Sequence, residues 1–252
     1  MSLANTTVLT LDKDYSSLLT REPSEHTIST KESPKAEKLK KEFSVASLMS
    51  KTVRSSMTPD MANICESYLG TKLTAKFRGL AKLAEGKSGY RPFYLSKYGK
   101  KLKGFDFNNK SPYRRVFKAK YYVKSGSRKG QVILHFPSFI PTKDMKSPEG
   151  ATNFKISARM IALSDYGFDT LAKSYRQINQ EYHGQYASYD SGMLPILKMP
   201  MDPITTQLSL DQKELPENTS LFLLMSVSFY SYQNGKFKHY SKESCMHLEQ
   251  VF

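Results

Sequence analysis

The chain has 252 residues, with 38 Lys and Arg against 23 Asp and Glu, a formal net charge of +15. At 39% hydrophobic and 12% aromatic residues it carries too much apolar material for a disordered chain, and it is long enough to bury a core. Two distant cysteines, Cys65 and Cys245, exclude a disulfide framework and a four-thiolate zinc site. There is no run of about 18 apolar residues to cross a membrane as a helix. Residues 1–15 lack a basic cluster leading into an apolar stretch, so no secretory signal is read and a cytoplasmic location is expected.

Residues 1–33 read as a polar arm and linker, with Val8, Leu9 and Leu11 able to form one short strand that pairs elsewhere. Ser33-Pro34 is a helix start, because proline fits a first helical position whose N–H has no partner anyway. Leu39, Phe43, Ala46, Met49, Val53 and Met57 follow at spacings of three and four and form one stripe. Thr58-Pro59 repeats the start signal. Met61, Ile64, Cys65 and Tyr68 make a second stripe, and Leu73, Phe77, Leu80 and Ala84 a third, ending near Gly86. Two or three helices are expected within a basic helical region, 34–100.

The period then changes to two. Phe105 and Phe107 alternate. Within 115–123, Phe117, Ala119, Tyr121 and Val123 share one face of an expected strand, with Val116, Lys118, Lys120 and Tyr122 on the other. Residues 125–130 form a turn, and Val132, Leu134 and Phe136 return as the second strand of a hairpin. Phe154 to Ala162 alternates. Leu221 to Tyr232 is the most apolar strand, followed by an Asn234-Gly235 hairpin turn and strands near 237–240 and 245–252. Weaker strands are read at 193–199 and 204–210. The expected class is α+β: an arm (1–33), a basic helical region (34–100) and a mainly antiparallel β-sandwich (101–252).

The charge is segregated along the chain. Residues 35–130 hold 24 basic and 6 acidic side chains, net +18, whereas 1–34 carry net −2 and 131–252 net −1. A concentrated positive field attracts polyanions. The stretch from Tyr90 to Lys129 interleaves cations with aromatics, the mixture that neutralises phosphates and stacks on unpaired bases. Its candidate nucleic-acid-binding residues are Arg91, Lys97, Lys100, Lys101, Lys103, Arg114, Arg115, Lys118, Lys120, Lys124, Arg128 and Lys129. The plain alternative is a solvated lysine surface, with edge-strand lysines that deter unwanted pairing.

Catalytic and cofactor signatures are lacking. There is no G-x-S-x-G, P-loop, H-E-x-x-H or G-x-G-x-x-G. Cys245 and His247 share a strand face and His239 lies across a short turn, a weak pattern for a metal. No cofactor or metal is expected.

Three stretches stand out: Phe136-Pro137-Ser138-Phe139-Ile140-Pro141, the run from Ser147 through Ile156, and the ending from Leu221-Phe222-Leu223-Leu224 through Phe229-Tyr230 to Asn234-Gly235. Together they resemble an uncharacterised family of small basic proteins found in Bacteroidota bacteria. Upstream, Lys41-Glu42-Phe43 and the run Leu102 to Asn108 are similar to its helix and junction. Asn153 and Ser226 depart from the family's usual His and Gly. The resemblance implies basic helices before a β domain and supplies no catalytic residue.

The sequence therefore points to a non-enzymatic protein that binds a polyanion, nucleic acid above all. Two other readings are a structural subunit of a filament, appendage or virion-like assembly, using the arm and the sheet edges, and a glycan-binding sandwich using Tyr182, Tyr186 and Tyr189.

Overall fold

The computed structural model describes residues 7–9, 34–211 and 215–252. The linker expected within the arm lies outside the described residues. In chain order the elements are β1 (Thr7–Leu9), α1 (Pro34–Ser55), α2 (Pro59–Ile64), α3 (Leu69–Ala81), α4 (Leu95–Tyr98), a 3-10 turn (Gly99–Leu102) and α5 (Tyr113–Val116). Next come β2 (Tyr122–Ser125), β3 (Gln131–Phe136), α6 (Pro141–Asp144), β4 (Asn153–Ser164), β5 (Tyr166–Asp169), β6 (Ser174–Gln177), β7 (Tyr186–Asp190) and β8 (Leu194–Pro195). The chain ends with β9 (Ile204–Ser209), β10 (Thr219–Gln233), β11 (Lys236–His239) and β12 (Cys245–Val251). The α+β class with mainly antiparallel sheets is the one expected from the sequence.

Three layers are stacked. The middle layer is a sheet in the order β1-β7-β4-β10, in which β11 and β12 both pair with the far side of β10. A small sheet, β2-β3-β9, covers one face and the helices cover the other. The alternation of β10 fits this sandwiching. Leu221, Leu223, Met225, Val227 and Phe229 point into the core shared with Val132, Leu134, Phe136 and Leu208 of the small sheet. Phe222 and Leu224 point the other way, into a second core with Ala46, Met49, Leu73 and Phe77. Each fully buried side chain of this size removes enough apolar surface from water to contribute roughly 1.5–3 kcal/mol. The helices thus bury their stripes on the sheet rather than on one another alone.

At the helix starts, the Thr58 hydroxyl accepts from the Met61 N–H at 3.3 Å with Pro59 behind it, the expected cap. The stripe of α1 read in the sequence is buried at Ala46, Met49 and Val53, and departs from the reading at Phe43. Phe43 is 50% exposed and lies under the Arg78 guanidinium, while Glu42 turns inward. The Glu42 carboxylate accepts from the backbone N–H of Gly89 (2.7 Å) and Arg91 (3.4 Å), contacts that an apolar side chain could not satisfy. Tyr68, assigned to the second stripe, is also exposed, because the helix breaks at Cys65.

The expected strand 115–123 is corrected. Pro112 precedes a helical turn, α5, and regular pairing begins only at Tyr122. Inward–outward alternation persists because residues 117–119 run extended beside 144–146, with Lys118 N–H donating to the Asp144 carbonyl (2.8 Å) and Lys146 N–H to that of Val116 (2.8 Å). Phe117 and Ala119 are buried, and Lys118 and Lys120 exposed. The stretch containing Phe105 and Phe107 is likewise no regular strand. It borders β12 through Gly104 N–H to Leu248 carbonyl (2.8 Å) and Phe107 N–H to Met246 carbonyl (2.9 Å). Strands β5, β6 and β7 were not legible in the sequence. Strand β7 removes the basis of the glycan reading: Tyr189 is buried, Tyr186 lies under the Arg159 guanidinium (4.3 Å), and Tyr182 packs against the core.

Candidate polyanion interface

The topology gives the sandwich two unlike sides. On one, β9 of the small sheet packs beside β7. On the other, the end of the large sheet is β12, bordered by residues 104–107, and the outer strand of the small sheet is β2. Most of the predicted basic residues lie on this second side, because the chain from 99 to 125 runs along it. The 3-10 turn carrying Lys100 and Lys101 packs closely on β12 and β10, and a Cβ at Gly99 would stand 3.0 Å from Val251 Cγ1. Lys103 follows, then Arg114 and Arg115 on α5, Lys118 and Lys120 on the extended stretch, and Lys124 on β2.

Glu249 ties the two sheets together here. It is 5% exposed, on β12, facing the small sheet. The Tyr121 hydroxyl donates to it at 2.6 Å, Arg114 Nη2 donates at 3.2 Å, and Lys103 Nζ lies 3.9 Å away. His247 Nε2 stands 3.1 Å from the same carboxylate, and its ring stacks on Tyr113 at 3.8 Å. Burial alone would raise the Glu249 carboxyl; His247, Tyr121 and Arg114 outweigh it and hold the group below its usual range. Burial and the neighbouring carboxylate push the Tyr121 phenol up, so it remains a neutral donor. One buried anion therefore fixes the positions of two cations and an aromatic at the rim.

The remaining predicted residues divide. Lys97 lies over the Tyr98 ring at 5.3 Å. Arg91 is engaged elsewhere, its Nε 3.6 Å from Glu42 of α1. Arg128 and Lys129 occupy the tip of the β2–β3 hairpin, where Lys129 donates to the Pro216 carbonyl at 2.7 Å and burial lowers its ammonium. Among the described residues, no carboxylate pairs with Lys100, Lys101, Arg115, Lys118, Lys120, Lys124 or Arg128. Within the described residues, nothing acidic closes those seven heads to an anion.

The weak metal pattern does not assemble. Cys245 faces the small sheet, whereas His239 pairs with Tyr230 and stacks on it from the helix side, so the two point to opposite faces of the sheet. A cavity of about 340 Å3 between α6 and the 194–204 stretch is lined by Pro141, Leu197, Pro200, Met201 and Ile204, with Asp202 its one charged residue. Sequence reasoning missed Glu249. Its signal was an acid two residues beyond His247 on the inward face of an apolar strand. No helix among the described residues is long and apolar enough to cross a membrane. Comparison with protein families, with curated proteins and with solved structures finds no significant match to this chain.

Proposed function

We propose that the protein is a non-enzymatic binding protein whose basic edge engages a polyanion of the nucleic-acid class. The observation that carries this reading is the edge itself, where cations without described carboxylate partners flank two more held in place by buried Glu249. Unpaired ammonium and guanidinium groups along one edge can displace counterions from a phosphate backbone, which gives affinity without sequence readout. Titration of labelled nucleic acid at about 50 and 200 mM salt tests it. Affinity should fall steeply with salt, and Lys118→Gln/Lys120→Gln/Lys124→Gln should weaken binding and flatten the slope by about 2–3. Absence of binding in dilute buffer, or binding indifferent to salt, would refute it.

A second reading, a structural subunit of a filament, appendage or virion-like assembly, draws on β1. Thr7–Leu9 adds to the β7 edge, on the opposite side from the basic edge, as an added strand would in an assembly. Light scattering checks it: a strict monomer at high concentration, unchanged by deleting residues 1–33, would remove this reading.

A further inference from the structure

Pairing between β10 and β4 ends at Tyr230, opposite Asn153, but β10 continues to Gln233; there β11 is the one strand paired with it, and Thr152 Oγ1 accepts the Tyr232 N–H at 3.1 Å on the other edge. The result is a two-stranded ribbon standing beyond the sheet, closed by Asn234 and Gly235, whose φ angles of 51° and 76° are those of a two-residue hairpin turn. The pairing puts Tyr230, Tyr232, Phe237 and His239 on one face, and Ser231, Gln233, Lys236 and Lys238 on the other. The rings form a continuous run. His239 stacks on Tyr230 at 4.8 Å, Tyr230 meets Phe237 at 6.3 Å, and Phe237 meets Tyr232 at 4.9 Å.

The inner end of the run is fixed and the outer end is open. Tyr230 is buried, donates its hydroxyl to Asp60 at 2.8 Å and lies beneath the Lys155 ammonium. Tyr232 and Phe237 are 55% and 45% exposed and belong to neither core. The fold gains little from two large rings in water, whereas a rigid aromatic surface is what an unpaired base stacks on. The ribbon's opposite face and its base are cationic. Residues 230–244 contain Lys236, Lys238 and Lys242 against one carboxylate, Glu243. The Lys242 carbonyl accepts from Asn108 Nδ2 (3.0 Å) and Ser111 Oγ (2.8 Å), which joins the ribbon's base to Lys110 and the start of α5.

We propose that the β10–β11 ribbon is a base-stacking platform and that the ligand of the basic edge is single-stranded nucleic acid, an inference that rests on the polyanion reading above. A duplex keeps its base faces covered and could use only the lysines. A neutral sugar could use the rings but would leave the lysines without a role.

The test is fluorescence anisotropy of the full chain with labelled oligo-dT of about 20 nucleotides, with a duplex of equal length and with a neutral oligosaccharide. Oligo-dT should bind more tightly than the duplex. Tyr232→Ala/Phe237→Ala should weaken oligo-dT by about tenfold or more and leave the duplex and the salt slope unchanged. Tyr232→Phe should retain affinity, and unchanged thermal melting would show that the fold persists. If duplex and oligo-dT bind alike and the double variant alters neither, the platform is refuted while the polyanion reading stands. If neither nucleic acid binds, both fall. Binding of the oligosaccharide that the double variant abolishes, with oligo-dT unmoved, reassigns the rings to a sugar and overturns the proposal.

Discussion

Ionisable groups between the sheet and the helix layer of this molecule behave differently from those on its basic edge. Lys155, facing the helix layer, is gripped by Asp60, by Asp190 at 3.2 Å and by the ring of Tyr230, and these neighbours hold its ammonium above the usual range despite the opposing effect of burial. Glu42 and Arg91 pair in the same layer. Lys118, Lys120 and Lys124, by contrast, stand in solvent with no described carboxylate. Equal charges thus do unequal work: interior ones fix helices to the sheet, and edge ones leave a field that other molecules can feel.

The sharpest way to break this contrast is to titrate the interior. His183 accepts the Ser164 N–H at Nδ1 (3.2 Å), so its Nε2 carries the proton and faces Thr52 Oγ1 at 3.1 Å. Burial pushes its pKa down from 6.5 to about 4. Because the unfolded chain takes up the proton first, stability is fully present above about pH 6.5 and declines toward pH 4, by up to about 3 kcal/mol. Denaturant melts across that range should show the loss, and His183→Gln should remove the part of it that sets in just below pH 6.5, apart from the share of His239, which burial also lowers. Next, Lys155→Met should lower stability at neutral pH by about 1–2 kcal/mol, since it leaves Asp60 and the half-exposed Asp190 without their shared cation. The Asp60 carboxyl is subject first to burial, which raises it, but Lys155 and Tyr230 prevail and lower it. Its stabilisation is present above the ordinary carboxylate pKa and lost as pH falls through the lowered one, so the deficit of Lys155→Met should shrink in acid.

Smaller effects sharpen the contrast at the rim. Glu249→Gln should cost about 1 kcal/mol by weakening its bonds to Arg114 and Tyr121, and it should tighten polyanion binding by freeing two cations. An unchanged or weaker complex would refute that gain. Replacing Lys118, Lys120 and Lys124 with Gln should shift stability by no more than about 0.5 kcal/mol, the usual range for exposed side chains, while polyanion binding drops. A large fall in melting temperature there would erase the distinction between the two sets of charges.

Strands with strong alternation or two-sided apolarity were legible in advance. Both β4 and β10 lie where their patterns put them, and Asn234-Gly235 makes its turn. Strands β5 to β7 were hidden because they are short and mix aromatics with Ser, Gln, Arg and Asp, so that their burial depends on neighbours distant in sequence. The same limit affected the candidate site. Arg91 and Lys120 look alike in a charge count, yet Glu42 claims one and nothing described claims the other. The ribbon's aromatic face emerged only once pairing showed that β4 stops at Asn153.

By itself the sequence determined the α+β class, the helix start at Thr58-Pro59, the central strand β10 and the concentration of positive charge in residues 35–130. These follow from local propensity, periodicity and composition, which act over a few residues at a time. Tertiary structure alone decided which cations are paired, which side of the sandwich is basic and which aromatics remain in water. Those outcomes depend on contacts between residues such as Tyr121 and Glu249, 128 positions apart, brought together only by the packing of one sheet on another.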